Sequence, residues 1–294
     1  MEIIRTPAEM TAWANRASAA GQSIGFVPTM GFLHEGHLAL MRMARGMADC
    51  LVVSLFVNPI QFGPAEDLSR YPRDFEGDCA KAAAAGADVL FAPAPEDMYP
   101  PEARTRVVVS GVSEGLCGAS RPGHFDGVAT VVAKLFHLVK PRVAVFGQKD
   151  LQQLAVIRRM VADLNWDISI VGHPIVREPD GLAMSSRNSY LTDEERQTAL
   201  CLHKAIRHAR GRVREGLTSS ESLTVELVAL LSSHLGVEID YVSLVDGESL
   251  RPVKELRPGV VLALAVRVGK TRLIDNDVLF ADDGQAFAMQ GGRD

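Results

Sequence analysis

Residues 24–37 read Ile-Gly-Phe-Val-Pro-Thr-Met-Gly-Phe-Leu-His-Glu-Gly-His, a short apolar run that leads into a turn containing glycine and histidine. The run Ile24–Val27 has the length and composition of a buried strand. Apolar residues then recur at helical spacing: Leu38, Leu40, Met41, Ala44, Met47 and Ala48. The first backbone N–H groups of a helix lack internal partners and carry the positive end of the helix dipole, so anions bind there. The sequence therefore predicts a phosphate-binding turn between a strand and a helix at residues 28–37.

Two histidines, His34 and His37, lie three residues apart in this turn. The spacing predicts that both fall on one helical face, where they can donate to phosphate oxygens. Spacing alone is equally compatible with two surface or capping histidines. A zinc protease is disfavoured, because the H-E-x-x-H motif needs its second histidine four residues after the first.

Further apolar runs alternate with helical patterns along the first half of the chain. The predicted strands are Ile24–Val27, Leu51–Val57, Val89–Ala92, Val143–Phe146 and Ile168–Val171, and the clearest predicted helices are Val128–Leu138 and Leu151–Leu164. Continuous hydrophobicity indicates strands covered on both faces. We therefore predict an α/β fold with a Rossmann-like, doubly wound parallel sheet, which binds its ligands at the carboxyl ends of the strands.

The sequence becomes turn-rich after Val176, which predicts a domain boundary. We expect a first domain over residues 1–178, a smaller C-terminal α+β domain over 179–283 and a loose tail over 284–294. The second domain is predicted to contain helices from Thr192 to about Arg214 and from Leu223 to Leu235. Its predicted strands are Val237–Val245, Val260–Val268 and Thr271–Asp275, with a hairpin turn at Gly269-Lys270.

Composition limits the function classes. The chain has 294 residues and a formal net charge of −5, so it lacks the basic excess expected of a nucleic-acid-binding protein. The four cysteines form no metal-site or disulfide-framework pattern, which favours reduced thiols in the cytoplasm. The sequence contains no basic and apolar leader and no long uncharged apolar run, so we expect neither secretion nor membrane insertion.

Three other segments combine residues suited to a polar ligand. Gly147-Gln148-Lys149-Asp150 follows a predicted strand, and Gln152 and Gln153 add neutral hydrogen-bonding groups. Met184-Ser185-Ser186-Arg187 sets two hydroxyls beside a guanidinium, as a triphosphate requires, although a solvated linker would look the same. Asn58-Pro59-Ile60-Gln61 places amides at the edge of the sheet, and Asp126 is predicted to cap the helix that follows Arg121–Phe125.

Taken together, these segments resemble the pantothenate synthetase (pantoate–β-alanine ligase) family, a branch of the HIGH-motif nucleotidyl-transfer enzymes. The matching segments are Pro28–His37, Phe56–Phe62, Tyr71–Asp74, Arg121–Asp126, Phe146–Gln153, Val176–Glu178 and Met184–Asn188. In this resemblance His34–His37 corresponds to HIGH, and Met184–Arg187 takes the place of the KMSKS loop. Several separated motifs in the right order are far more specific than any one of them.

The resemblance implies an enzyme that joins pantoate to β-alanine through a pantoyl adenylate, releasing AMP and pyrophosphate from ATP. His37 would be the proton donor, with His34, Lys149 and Arg187 as further catalytic groups. The implied ATP-binding residues are Met30, Gly31, Phe32, Leu33, His34, Glu35, Gly36, His37, Gly147, Gln148, Lys149, Asp150, Val176, Met184, Ser185, Ser186 and Arg187. Gln61 and Gln153 would bind pantoate, and Gln61 would also serve β-alanine.

The resemblance also implies Mg²⁺ bound with ATP, for which Asp78 is a weak candidate ligand. It implies a homodimer, and a loop near residues 67–73 that closes over the adenylate and excludes water. Two other classes remain as alternatives. A small aminoacyl-tRNA synthetase would need a basic surface and has Lys where this chain has Ala183, and a nucleotide-sensing module would not need Lys149 and Gln61.

Overall fold

The computed structural model describes residues 1–64 and 66–280, and the described chain groups into two compact units. The first unit contains Met1–Ser113, Arg121–Gln148 and Gln153–His173, and the second contains Glu114–Ser120, Lys149–Gln152 and the chain from Pro174 onward. The contiguous division at residues 178 and 179 stays a prediction. The predicted tail over 284–294 lies outside the described residues.

The first unit is built on a parallel sheet in the order β1-β4-β3-β2-β5-β6. Its strands are β1 (Glu2–Ile4), β2 (Ile24–Thr29), β3 (Cys50–Leu55), β4 (Val89–Phe91), β5 (Val143–Gly147) and β6 (Ser169–His173). The chain winds outward from β2 to β3 and β4, and on the other side from β5 to β6. Neighbouring β2 and β5 therefore form the topological switch point, the place where such sheets bind ligands. The predicted doubly wound sheet is confirmed.

Helices connect these strands and continue into the second unit. They are α1 (Pro7–Ala19), α2 (Glu35–Arg45), α3 (Phe75–Ala84), α4 (Pro95–Met98), α5 (Cys117–Ser120), α6 (His124–Val139), α7 (Leu151–Asp163), α8 (Asp193–Ala199), α9 (Cys201–Arg214) and α10 (Ser220–Ser232). Single 3-10 turns lie at Pro59–Gln61, Gln148–Asp150 and Ser186–Tyr190.

The core of the first unit lies between the sheet and its helices. Val27, Leu51, Val53 and Val145 are fully buried in one cluster with Met41 of α2. Leu51, Val52 and Val53 of β3 are consecutive and fully buried, so both faces of the sheet are covered, as the continuous apolar runs predicted.

Two local predictions were wrong. Helix α6 begins at His124 and its N-cap is Gly123, with a φ of 78°, so Asp126 lies in the first turn instead of capping it. The predicted helix from Thr192 to Arg214 is two helices, because Leu200 has a ψ of −13°, well away from the α-helical value near −42°. The first of them begins at a capping box formed by Thr192 and Glu195.

The second unit contains an antiparallel sheet in the order β7-β8-β9. Strand β7 spans Val237–Asp246, β8 spans Val260–Val268 and β9 spans Thr271–Val278. The predicted hairpin between β8 and β9 is confirmed, and Gly269 in it has a φ of 57°. Helices α9 and α10 contribute Leu202 and Leu223 to a core shared with Leu264 of β8.

Helix α5 groups with the second unit through polar contacts to β7. The Cys117 Sγ lies 3.2 Å from the Tyr241 hydroxyl, and the Ser120 hydroxyl donates to the Asp240 carboxylate at 2.7 Å. No helix among residues 1–64 and 66–280 is long and apolar enough to span a membrane.

Candidate active site

Residues 29–37, named here the histidine turn, join β2 to α2. Gly31 and Phe32 both have positive φ, 86° and 52°. A positive φ is easy for glycine and rare for a residue such as phenylalanine, so something must hold this backbone. The Thr29 hydroxyl begins to do so, since it accepts from the Gly31 N–H at 3.2 Å and donates to the Ser54 carbonyl at 2.8 Å.

Asp78 of α3 holds the centre of the histidine turn. One carboxylate oxygen accepts from the Phe32 N–H at 2.7 Å and the other accepts from the Leu33 N–H at 2.6 Å. One helical turn further on, the Lys81 ammonium donates to the Leu33 carbonyl at 2.9 Å. The side chain of Asp78 is buried, and burial raises its pKa even though the two N–H groups favour the carboxylate. Asp78 therefore acts as the support of this turn.

The two histidines do not share a helical face as predicted. His34 is the N-cap of α2 with an extended backbone, a φ of −130° and a ψ of 175°, because the helix starts only at Glu35. The rings still stack, with centroids 4.0 Å apart and an interplanar angle of 31°. The His34 N–H donates to His37 Nδ1 at 3.3 Å. Neutral His37 therefore carries its proton on Nε2, where it is a hydrogen-bond donor.

Other predicted ATP-binding residues of this turn have structural partners. The Leu33 side chain belongs to the core of the first unit, and its backbone N–H and carbonyl bond to Asp78 and Lys81. Glu35 pairs with Arg42 further along α2. Gly36 lies in the first turn of α2, next to His37.

Gln61 is buried and its amide orientation is fixed by neighbours. The Asn58 Nδ2 donates to Gln61 Oε1 at 3.0 Å, and the Tyr99 hydroxyl donates to Asn58 Oδ1 at 2.8 Å. Gln61 Nε2 donates to the Met30 thioether at 3.2 Å. Because sulfur is a weak acceptor, that N–H group can be transferred to a stronger acceptor on a ligand.

Asn58 and Tyr99 are positioning residues that the sequence did not reveal. The sequence indicated Asn58 only as part of the segment Asn58–Gln61. Tyr99 lies 41 positions after Asn58 and belongs to no motif. The Asn58 amide also donates to the Gly127 carbonyl at 3.0 Å. A Cβ at Gly127 would lie 2.6 Å from the Gln61 Cα, so only glycine lets α6 approach this closely. That requirement explains the glycine that follows the Arg121–Asp126 segment.

The end of β5 carries the next group of predicted residues. Gly147 closes β5, and a Cβ there would meet no atom within 4 Å. Gln148 Nε2 lies 3.5 Å from the Gly172 carbonyl of β6, and Gln153 is half-buried on α7. In the first unit, the structure thus places the histidine turn and Gly147 at the carboxyl ends of β2 and β5, the two strands of the switch point.

Lys149 belongs to the second unit, where β9 holds its backbone. The Asn276 Nδ2 donates to the Lys149 carbonyl at 2.8 Å. Burial lowers the pKa of the Lys149 ammonium, Arg187 lowers it further, and neighbouring Asp150 opposes the shift. A lysine beside an arginine is a concentration of positive charge suited to a polyanion.

Residues 184–188, named here the serine turn, carry Arg187. Ser185 caps the short helix Ser186–Tyr190, with its hydroxyl accepting from the Arg187 N–H at 3.2 Å. The Met184 N–H donates to the Val176 carbonyl at 2.9 Å. The structure therefore brings Val176 and the serine turn together, as it does Lys149 and Arg187, all within the second unit.

Charged residues on either side support the serine turn. The Asn188 amide donates to the Glu178 carboxylate at 2.7 Å. Arg196 of α8 donates to Glu178 at 2.6 Å and to Asp180 at 2.7 Å. Glu178 and Asn188 belong to matching sequence segments, but the sequence did not indicate that Glu178 pairs with Arg196.

A second ion pair in this unit involves a buried carboxylate. Arg177 binds both carboxylate oxygens of buried Asp275, at 2.7 and 2.9 Å. Asp275 precedes Asn276, the residue that holds the Lys149 carbonyl. The sequence offered no signal for this pair, because its members are 98 positions apart.

The described residues, 1–64 and 66–280, contain no group of three or more His, Cys, Asp or Glu side chains placed to hold a metal ion. Both Asp78 oxygens accept backbone N–H groups. Mg²⁺ in nucleotide enzymes keeps several waters and binds chiefly phosphate oxygens. The Asp78 carboxylate is thus already engaged by the histidine turn, and its assignment to Mg²⁺ stays a prediction.

Comparison with known proteins agrees with this geometry. The family model for pantoate-beta-alanine ligase matches residues 2–278. Pantothenate synthetase from Geobacter sulfurreducens is 57% identical over 279 residues, covering 95% of this chain and 99% of that relative. The enzyme of the same name from Thermotoga petrophila is 52% identical, with 95% and 100% covered.

Solved structures give the same result. The crystal structure of pantothenate synthetase from Thermus thermophilus has a TM-score of 0.91 and 46% identity, covering 96% of this chain and 100% of that chain. The pantoate-beta-alanine ligase from Francisella tularensis, complexed with beta-gamma ATP and β-alanine, has a TM-score of 0.78 and 33% identity, covering 96% and 99%. The chain therefore belongs to the pantoate-beta-alanine ligase family and is a ligase of that class.

Proposed function

We propose that this enzyme activates pantoate by adenylation. A pantoate carboxylate oxygen attacks the α-phosphorus of ATP, and pyrophosphate leaves with the electrons of the broken P–O bond. The amine of β-alanine then attacks the acyl carbonyl of pantoyl adenylate, so AMP leaves and pantothenate forms. The related Francisella tularensis enzyme was crystallised with both beta-gamma ATP and β-alanine, which supports ATP and β-alanine as substrates here.

The observation that carries the proposal is the histidine turn. It combines the N-terminus of α2, the left-handed backbone at Gly31 and Phe32, and His37 with its proton on Nε2. Charge spreads over the phosphate oxygens as the α-phosphorus is attacked, and preorganised donors stabilise that charge. His37 would supply the donor, with His34 beside it.

Nucleotide binding is assigned to several of the residues described above. Lys149, Ser185, Ser186 and Arg187 would hold the triphosphate, and Val176 would contact adenine. Met30–His37 and Gly147–Asp150 would line the rest of the nucleotide site. The lowered pKa of Lys149, due first to burial and then to Arg187, supports this role, because a bound anion would relieve the repulsion between the two cations.

Pantoate recognition is assigned to Gln61 and Gln153. Asn58 holds Gln61 Oε1, so Gln61 Nε2 is the group left to donate to a pantoate oxygen. The same amide would serve β-alanine in the second step. Alignment of the reacting carboxylate supplies much of the rate enhancement in such reactions.

Four finer assignments complete the proposal. Mg²⁺ would accompany ATP and would neutralise charge on its phosphates. The loop at residues 67–73 would exclude water from the adenylate. The chain would act as a homodimer, which rests on the family alone, and it would do so in the cytoplasm, as its cysteine usage favours.

Isotope exchange tests the reaction order. With ATP and pantoate but no β-alanine, the enzyme should exchange labelled pyrophosphate into ATP, and addition of β-alanine should release AMP and pantothenate in equal amounts. Release of ADP and phosphate would disprove adenylation. Exchange that needs β-alanine would disprove an adenylate formed in a separate first step.

A further inference from the structure

A directed chain of hydrogen bonds ends at the backbone of Gln61. Arg121 binds both oxygens of Glu66, each at 2.6 Å, and its Nη1 lies 2.9 Å from His124 Nε2. His124 Nδ1 in turn lies 2.8 Å from the Gln61 carbonyl oxygen. All four residues belong to the first unit.

The chemistry of the two end groups leaves His124 only one arrangement. A guanidinium donates and never accepts, so His124 Nε2 must accept from Arg121. A carbonyl oxygen only accepts, so His124 Nδ1 must carry the proton and donate to Gln61. His124 is therefore neutral in this arrangement, with a defined tautomer, and Arg121 is the group that selects it.

Glu66 keeps the guanidinium in place. The side chains of Arg121 and Glu66 are only 16% and 25% exposed, so the pair is shielded from solvent more than most surface ion pairs. The Glu66 carboxyl loses solvation by burial, but its hydrogen bonds with Arg121 more than compensate and keep its pKa below the usual value. A two-pronged contact of this kind fixes direction as well as distance.

We propose that Arg121 and His124 are positioning residues for pantoate recognition. They fix the backbone of Gln61 from one side while Asn58 fixes its side-chain amide from the other. Two independent restraints on one residue define where Gln61 Nε2 presents its hydrogen. The inference rests on the proposed assignment of Gln61 to pantoate.

Replacement of His124 by amides separates the two bonds of the imidazole. The amide nitrogen of Asn can take the place of Nδ1, whereas that of Gln reaches the place of Nε2. His124→Asn should therefore keep the donor to the Gln61 carbonyl, and His124→Gln should lose it. In the exchange assay, we expect His124→Ala and His124→Gln to raise the KM for pantoate roughly tenfold, the loss expected for one positioning hydrogen bond, and His124→Asn to stay within about threefold of the parent.

The KM for ATP separates a positioning role in pantoate binding from a general loss of structure. The KM for ATP should change less than twofold in all three variants. Arg142→Ala serves as a control, since it removes a solvent-exposed ion pair with Asp167 in the same unit and should leave both KM values unchanged. A second test combines His124→Ala with Gln61→Ala: if His124 acts through Gln61, the double variant should be no worse for pantoate than Gln61→Ala alone.

Three results would overturn the inference: an unchanged KM for pantoate in His124→Ala, equal losses for pantoate and ATP, or fully additive losses in the double variant. Failure of the proposed function looks different. In that case the parent enzyme itself shows no pyrophosphate exchange that depends on pantoate.

Discussion

The histidine turn and the serine turn are both assigned to phosphate binding, yet the groups that contact them directly differ. A buried carboxylate, Asp78, fixes the backbone of the histidine turn. Partly exposed charges, Glu178 and Arg196, hold the serine turn, with exposed fractions of 22% and 29%.

The difference follows from what each turn offers a ligand. The histidine turn would offer the N-terminus of α2 and an imidazole, whose positions depend on a rigid backbone. The serine turn carries the Arg187 guanidinium and two hydroxyls, which would contact a ligand through side chains. Buried hydrogen bonds provide rigidity, and exposed ion pairs allow adjustment at little cost in stability.

The largest predicted effect is on the reaction rate, when one proposed catalytic residue of either unit is removed. His37→Ala and Lys149→Ala should each lower the rate of pyrophosphate exchange by about a hundredfold or more, as expected for loss of a transition-state donor. Arg159→Ala, which removes an exposed ion pair with Asp163 on α7, is the control and should exchange normally. A normal rate in either test variant would remove that residue from the chemistry.

The next prediction compares how much Asp78 and Glu178 contribute to the free energy of unfolding. Asp78→Asn sets an amide N–H against a backbone N–H, so the free energy of unfolding should fall by about 2–3 kcal/mol. Glu178→Gln removes one partly exposed charge and should cost about 1 kcal/mol or less. Urea denaturation measures both. Equal losses would contradict the contrast between a buried and an exposed support.

Salt should change the stability contribution of Arg196 at the serine turn but not that of Asp78 at the histidine turn. Raising the ionic strength screens exposed charges, so the stability difference between the parent and Arg196→Ala should shrink, from an initial value under about 1 kcal/mol. The loss caused by Asp78→Asn should stay the same, because its hydrogen bonds are buried. A salt-independent Arg196→Ala difference would show that Arg196 acts through packing.

The smallest effect is the order of titration of two aspartates. Burial raises the pKa of Asp78 beyond what its N–H partners can offset, whereas the Leu182 N–H and Arg196 outweigh burial and lower the pKa of Asp180. On acidification, NMR of the carboxyl carbons should show Asp78 protonated first.

The lowered pKa of Asp180 means that its contribution to stability is present above the pKa of an unfolded aspartate and is lost as pH falls through its folded value. The raised pKa of Asp78 has the opposite sign: its contribution to stability is present below the pKa of an unfolded aspartate and is lost as pH rises through its raised folded value. The reverse titration order would contradict these environments.

The strands and the histidine turn could be predicted because their signals are local. The run Ile24–Val27 is apolar without interruption, and the spacing from Leu38 onward is helical. Helix α2 and strands β2, β3, β5 and β8 all lie close to the predicted positions. Strand β1 was missed because Glu2–Ile4 is too short to form a pattern and exists only by pairing with β4.

By itself, the sequence determined the parallel sheet, the order of the motifs and the residues that could contact phosphate, because periodicity and motif spacing are properties of neighbouring residues. Only the tertiary structure decided what holds those residues in place. Asp78 is 45 positions from Leu33, and Asp275 is 98 positions from Arg177. The tautomer of His124 likewise depends on Arg121 and the Gln61 carbonyl together. Such partners meet only after the chain has folded, since hydrogen bonds act over about 3 Å whatever the separation in sequence.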